Sequence, residues 1–167
     1  NVGFMVGEEL RRRHGLPALR ARFEGLTAEG VIAGVKVVLL LPTTFMNASG
    51  KAVAQAARWH RIPVERMLVI HDEVELPFGE VRLKEGQGLG GHNGLRSIEK
   101  AVGSRAFWRL RVGVGRPAND RVPLVDHVLA PFSESREEVL GLIGRAADLA
   151  EEWLAGRGES AEWAGRG

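Results

Sequence analysis

Seven consecutive residues constrain this chain more than any others: Val35-Lys36-Val37-Val38-Leu39-Leu40-Leu41, closed by Pro42. Branched side chains favour the pleated backbone, and a run broken only by Lys36 has no polar face to turn toward water. Such a strand needs apolar cover on both sides, so helices must pack above and below its sheet. Helical spacing is present to supply them. Residues 2–13 put Val2, Met5, Val6 and Leu10 on one face and stop before Gly15 and Pro17, and residues 49–60 repeat the pattern with Val53, Ala56, Ala57 and His60. Residues 19–26 alternate loosely, residues 67–70 form a second short apolar run, Val81 and Leu83 alternate with polar neighbours, and residues 110–114 close the set of strands. A glycine-rich loop leads into a helix over residues 93–102. Ser135 and Glu138 form a capping box ahead of Val139, Ile143, Ala146, Ala150 and Trp153, which share one helical face. The alternation of strands and helices predicts an α/β fold: a single domain with a mixed, largely parallel sheet and helices on both faces. The domain is expected to span residues 1–155. Residues 156–167 combine Gly, Arg, Glu and Ser without an apolar period and read as a flexible tail.

Composition narrows the function classes. The chain has no cysteine, which excludes disulfides, thiolate metal sites and cysteine nucleophiles and fits a reducing, cytoplasmic setting. No apolar run approaches the length of a bilayer span, and no secretory leader pattern is present, so no membrane association is expected. Charge is unevenly placed. Residues 82–121 hold nine Lys or Arg against Glu85, Glu99 and Asp120, a net +6 in a chain of formal charge +2, so the remainder carries −4. Arg outnumbers Lys by 19 to 4, and its planar fork matches phosphate geometry. A solvated surface accounts for such counts equally well, but clustering favours a polyanionic partner.

Three motifs follow strands, where ligands gather in open α/β sheets. In Pro42-Thr43-Thr44-Phe45-Met46-Asn47, Asn47 offers an amide donor and acceptor, while Phe45 and Met46 suit an apolar ligand surface. The plainer alternative is that Asn47 caps the next helix and Phe45 and Met46 enter the core. In His71-Asp72-Glu73, Asp72 is able to accept the N–H of an imidazole and fix its tautomer, as the orienting acid does in hydrolytic triads. Its neighbour His71 is a poor partner, because adjacent side chains on a strand face opposite ways. No zinc-type spacing accompanies these residues, and no metal is expected. In Gly86-Gln87-Gly88-Leu89-Gly90-Gly91-His92-Asn93-Gly94, the glycines permit close backbone approach, and His92 and Asn93 carry functional side chains. A dinucleotide fingerprint is contained in it, but residues 106–116 lack the acidic partner that a Rossmann site needs.

Taken in order and spacing, these motifs, with Ser49-Gly50-Lys51 and Arg109-Leu110-Arg111-Val112-Gly113-Val114-Gly115, resemble the bacterial peptidyl-tRNA hydrolase family over roughly residues 1–155. The resemblance implies hydrolysis of the ester joining a peptide to tRNA, without metal, cofactor or covalent intermediate, by a monomer that acts on peptidyl-tRNA in the cytoplasm. It implies that Asn47 and Asn93 position the attacked carbonyl and water, that Phe45 and Met46 line the groove and that His92 flanks it. Asp72 then orients the family's general-base histidine, and Lys84 and Arg111 grip a tRNA phosphate. The family's pattern also places an opening strand and that histidine upstream of the position matched by Asn1, and none of His14, His60, His71, His92 or His127 matches the base. The sequence therefore predicts a chain that lacks its base as it stands. A different class, a non-catalytic RNA-binding relative of the same fold, is the alternative; keeping Asn47, Asp72 and Asn93 together favours the enzyme.

Overall fold

The computed structural model describes residues 1–43, 48–86, 88, 92–117 and 132–156. The chain runs α1 (Val2–Arg13), β1 (Arg20–Arg22), β2 (Gly25–Ile32), β3 (Val35–Pro42), α2 (Ser49–His60), β4 (Leu68–Glu73), β5 (Val81–Glu85), α3 (Asn93–Val102), β6 (Trp108–Gly113) and α4 (Arg136–Ala155). A 3-10 turn, Val64–Arg66, precedes β4.

The described strands form two three-stranded sheets, in the orders β1-β2-β3 and β4-β6-β5. The first is wholly antiparallel; in the second, β6 lies parallel to β4 and antiparallel to β5. The expectation of a largely parallel sheet is thus corrected: one described strand pair is parallel. Two-residue turns force the difference, because a tight hairpin joins only antiparallel neighbours. Phe23 and Glu24 both sit at φ 56°, and Ala33 and Gly34 at 52° and 76°, the left-handed pair that such hairpins require. The first turn splits the expected strand 19–26 into β1 and the start of β2. Neither Phe23 nor Glu24 is a residue that advertises positive φ, so the break was not visible in the sequence.

Helices do cover both faces. On one side, Val2, Val6 and Leu10 of α1 and Leu142, Ile143, Ala146 and Ala150 of α4 join Ala28, Ile32, Leu110 and Val112 in the larger apolar cluster. On the other, Leu95 and Ile98 of α3 and Val53 and Ala57 of α2 pack with Met67 and Phe107. The capping box of α4 is formed: the Glu138 N–H donates to Ser135 Oγ at 3.2 Å, and the Ser135 N–H to Glu138 Oε1 at 3.4 Å. Val139, Ile143, Ala146, Ala150 and Trp153 are all buried, as their spacing predicted. The expected tail lies outside the described residues from position 157 onward.

The N-terminal end of α2 is clamped to the middle of α3. The Gly50 N–H donates to Ser97 Oγ at 2.9 Å, and a Cβ at Gly50 would stand 2.0 Å from the Ser97 carbonyl oxygen. The contact ties together the two helices that follow the motif loops. Gly50→Ala must separate the helices, so it should lower stability by about 1–3 kcal/mol, the usual cost of overpacking. Urea unfolding of the variant against wild type measures it; an unchanged midpoint would show that the clamp yields freely.

Candidate active site

β4 ends in His71, Asp72 and Glu73, beside the start of α3. Side chains alternate along the strand, and His71 indeed does not meet the Asp72 carboxylate. Its Nδ1 lies 2.7 Å from the Asp72 backbone oxygen. A carbonyl only accepts, so Nδ1 bears the proton and Nε2 the lone pair. Nε2 is buried and has no hydrogen-bond partner among the described residues. Burial, with the neighbouring His92 ring 4.9 Å away, lowers the His71 pKa to about 4.

His92 takes the partner role that His71 cannot. It stands at the N-cap of α3, where its Nδ1 accepts the Leu95 N–H at 3.2 Å. That bond leaves the proton on Nε2, which points at Asp72 Oδ1 from 3.3 Å. Both groups are largely shielded, with side-chain exposures of 17% and 13%. Burial alone would raise the Asp72 pKa; the His92 hydrogen bond and the nearby imidazoles outweigh it and hold the carboxyl below its ordinary value. Asn93, the first residue of α3, is exposed, and its amide makes no hydrogen bond among the described residues. The structure therefore brings Asp72, His92 and Asn93 together.

Phe45, Met46 and Asn47 lie outside the described residues, but their flanks are fixed by a residue that sequence reasoning missed. The Thr43 N–H and hydroxyl both donate to the Glu24 carbonyl oxygen at 3.1 Å. The Glu24 carboxylate receives Gln55 Nε2 at 2.7 Å and lies 3.6 Å from Lys51 Nζ. Glu24 thereby joins the strained hairpin turn, the exit of β3 and α2. Its partners are distant in sequence, so no local pattern marked it.

The register of β5 and β6 pairs Arg82 with Arg111 and Lys84 with Arg109. These four side chains share one face, while Val81, Leu83, Leu110 and Val112 join the larger core on the other. Lys84 and Arg111 are thus brought onto one surface as expected. They are not equivalent: Arg111 Nε donates to Glu73 Oε1 at 2.9 Å, whereas Lys84 has no carboxylate partner among the described residues. Glu73 stays below the ordinary carboxylate range because the Arg111 bond and charge, with the Glu75 N–H, overcome its burial. Arg109 is 3% exposed, and burial followed by repulsion from Arg111 lowers its pKa. Among the described residues, no group of three or more His, Asp or Glu is placed to hold a metal ion.

Comparison with known proteins decides among the readings of this geometry. The sequence model described as peptidyl-tRNA hydrolase matches residues 1–164. The chain belongs to the peptidyl-tRNA hydrolase family. It is 45% identical over 161 residues to the peptidyl-tRNA hydrolase of Granulibacter bethesdensis, covering 95% of this chain and 82% of that protein. The enzyme of that name from Geotalea uraniireducens is 49% identical over 142 residues, covering 85% of this chain and 72% of the relative. A solved peptidyl-tRNA hydrolase from Acinetobacter baumannii superposes with a TM-score of 0.80 at 35% identity, covering 99% of this chain and 84% of the other. No helix among the described residues is long and apolar enough to cross a membrane.

The buried imidazole at this family site predicts a pH dependence. His71 is depressed to about 4 in the fold and titrates near 6.5 when unfolded. Between those values the unfolded chain binds more protons, so stability is full above about pH 6.5 and declines as pH falls toward 4, by at most about 3 kcal/mol. Asp72, also depressed, adds a loss at lower pH still. Chemical unfolding of wild type and His71→Gln at pH 7 and pH 4.5 should show the smaller pH effect in the variant. Equal losses in both proteins would mean that His71 is not held neutral.

Proposed function

We propose that this chain acts on peptidyl-tRNA by general-base hydrolysis of the ester that joins peptide to tRNA. The observation that carries the proposal is the Asp72 carboxylate, shielded, ionised and bonded to an imidazole N–H beside Asn93, on a sheet whose next strands present Lys84 and Arg111. An acid so placed orients an imidazole and stabilises its charged form; amides of Asn47 and Asn93 suit a developing oxyanion and a water; Phe45 and Met46 suit the peptide. The basic face of β5 and β6 suits tRNA phosphates. The resemblance further implies a monomeric cytoplasmic enzyme working without metal or cofactor.

The identity of the base is a separate part of the proposal. His92 has both ring nitrogens engaged, by the Leu95 N–H and by Asp72. His71 Nε2 is buried, His14 pairs with Glu151, and His60 is buried near Glu29. None of these four offers an accessible lone pair beside Asp72, and His127 lies outside the described residues. A polypeptide made of these 167 residues alone should hydrolyse N-acetyl-aminoacyl-tRNA about 10²- to 10⁴-fold more slowly than the Granulibacter relative, the usual contribution of a general base. Free imidazole should restore part of the rate in wild type but little in Asp72→Asn, with tRNA binding unaltered in both. A rate equal to the relative's would place the base within this chain; binding without hydrolysis, even with imidazole, would favour the RNA-binding alternative.

Binding tests the clamp independently. Affinity for tRNA should fall with salt by about 0.9 log unit per duplex phosphate neutralised per log unit of salt, and Lys84→Ala and Arg111→Ala should each flatten that slope. Lys84→Ala should have the larger effect, since Arg111 must leave Glu73 to meet a phosphate. Unchanged slopes in both variants would remove these residues from the interface.

A further inference from the structure

Arginines in this chain usually have a carboxylate beside them. Arg11, Arg12, Arg13, Arg105, Arg111 and Arg116 each form an ion pair with a Glu or Asp. Arg20, Arg22, Arg58 and Arg61 have no carboxylate partner among the described residues, and they lie where β1 meets the end of α2. The Arg22 guanidinium carbon stands 4.5 Å from the Phe23 ring centroid and 4.7 Å from that of Trp59. Arg58 and Arg61 line one shallow depression with Phe23, Gln55 and Trp59, and Arg20 shares a face of β1 with Arg22. The carboxylate of Glu24 is already engaged by Gln55 and Lys51. Trp59 nevertheless remains 65% exposed. Backbone geometry marks the same place, since Phe23, Glu24 and Arg61 are three of the four described non-glycine residues at positive φ. Glycine would hold these turns with less strain. The chain instead keeps an aromatic ring and a guanidinium there, and His60 backs the Phe23 ring edge-on with centroids 5.8 Å apart. A lone exposed aromatic is ordinary; one surrounded by four cations without carboxylate partners is not.

We infer that this surface, built from β1, the β1–β2 turn and the end of α2, is a second RNA contact that takes an unpaired nucleobase on Trp59 and its flanking phosphates on Arg58, Arg61 and Arg20. Charge selects an anionic partner, and the planar guanidinium fork meets phosphate oxygens two at a time. The indole selects among anions. Stacking on an exposed aromatic is open to every base because every base has a π-face, whereas the bases of a duplex are already stacked on one another. Arg22, lying over both rings, fixes the aromatic platform through its attraction to their π-faces. An acidic peptide would satisfy the cations and leave the indole without a planar partner. The surface is separate from the phosphate clamp proposed above: it stands on the first sheet and α2, while Lys84 and Arg111 belong to the second sheet. It also differs in what it reads, single-stranded RNA through a base rather than duplex phosphates alone.

The probe is a fluorescently labelled, single-stranded adenylate RNA hexamer titrated into the full chain at low salt, with anisotropy as the readout. Trp59→Ala should weaken binding by about 5- to 150-fold, the usual contribution of one stacked base, and Trp59→Phe should recover most of the affinity. Arg58→Ala and Arg61→Ala should each flatten the salt dependence by about 0.7 log unit per log unit of salt, the single-strand value for one phosphate. Lys84→Ala should leave hexamer binding as it is. Ultraviolet crosslinking followed by mass spectrometry should mark Trp59, and urea midpoints matching wild type would show that the variants are folded. Should Trp59→Ala unfold, the crosslink and the two arginine slopes decide. Unchanged binding in a folded Trp59→Ala, or equal affinity for an abasic ribose-phosphate hexamer, would overturn the assignment. Loss of hexamer binding in Lys84→Ala would overturn it too, by placing the single strand on the clamp. Tighter binding of a hexaglutamate peptide than of the RNA would give the surface to an acidic protein segment. None of these readouts involves ester hydrolysis, so this contact and the proposed activity stand or fall separately.

Discussion

The parallel pairing of β4 with β6 is the constraint on which the rest depends. It sets His71 opposite Arg111 and Asp72 opposite Val112, so the acidic end of one strand and the basic middle of the next fall in the same region. Antiparallel addition of β5 then brings Arg82 and Lys84 onto the same face as Arg109 and Arg111. Alternation sends Leu110 and Val112 into the core and their arginine neighbours outward or between layers. One pairing thus serves both the folding of the sheet and the placing of its acidic strand end near a basic face.

Like charges assembled this closely need internal partners. Glu73 supplies one, bonding Arg111 while lying one residue from Asp72. The burial that would otherwise neutralise Asp72 and Glu73 is outweighed by specific donors, His92 for the first and Arg111 for the second. The two carboxylates therefore remain ionised for different reasons, one toward an imidazole and one toward a guanidinium. His92 couples this balance to the backbone, since the same ring that meets Asp72 also caps α3. A helix terminus and an electrostatic pair are stabilised by one side chain.

Strain and close packing are placed where they position the motif loops. The left-handed Phe23 and Glu24 turn is held by Thr43, and Gln55 bonds its carboxylate. Gly50 lets α2 touch α3 where no other residue fits. Both contacts bear on the ends of helices and strands that frame residues 44–47. Their distance in sequence from the motifs explains why they were invisible beforehand: hairpin geometry and interhelical contact leave no periodic trace.

Local chemistry made a large part of this protein legible in its sequence. Apolar spacing located α1, α2 and α4, the glycine-rich loop marked the start of α3, the Ser135 and Glu138 pair located the start of α4, and strand alternation excluded His71 as the partner of Asp72. These are properties of 3.6-residue and two-residue periods and of single caps, which neighbouring residues decide among themselves. Motif order was enough to suggest the family. Only the tertiary structure decided the antiparallel character of the first sheet, the pairing of Asp72 with His92 and the tie between Glu73 and Arg111. Each of those depends on backbone dihedrals or long-range contacts, and a run such as residues 35–41 states that it must be covered without stating by what.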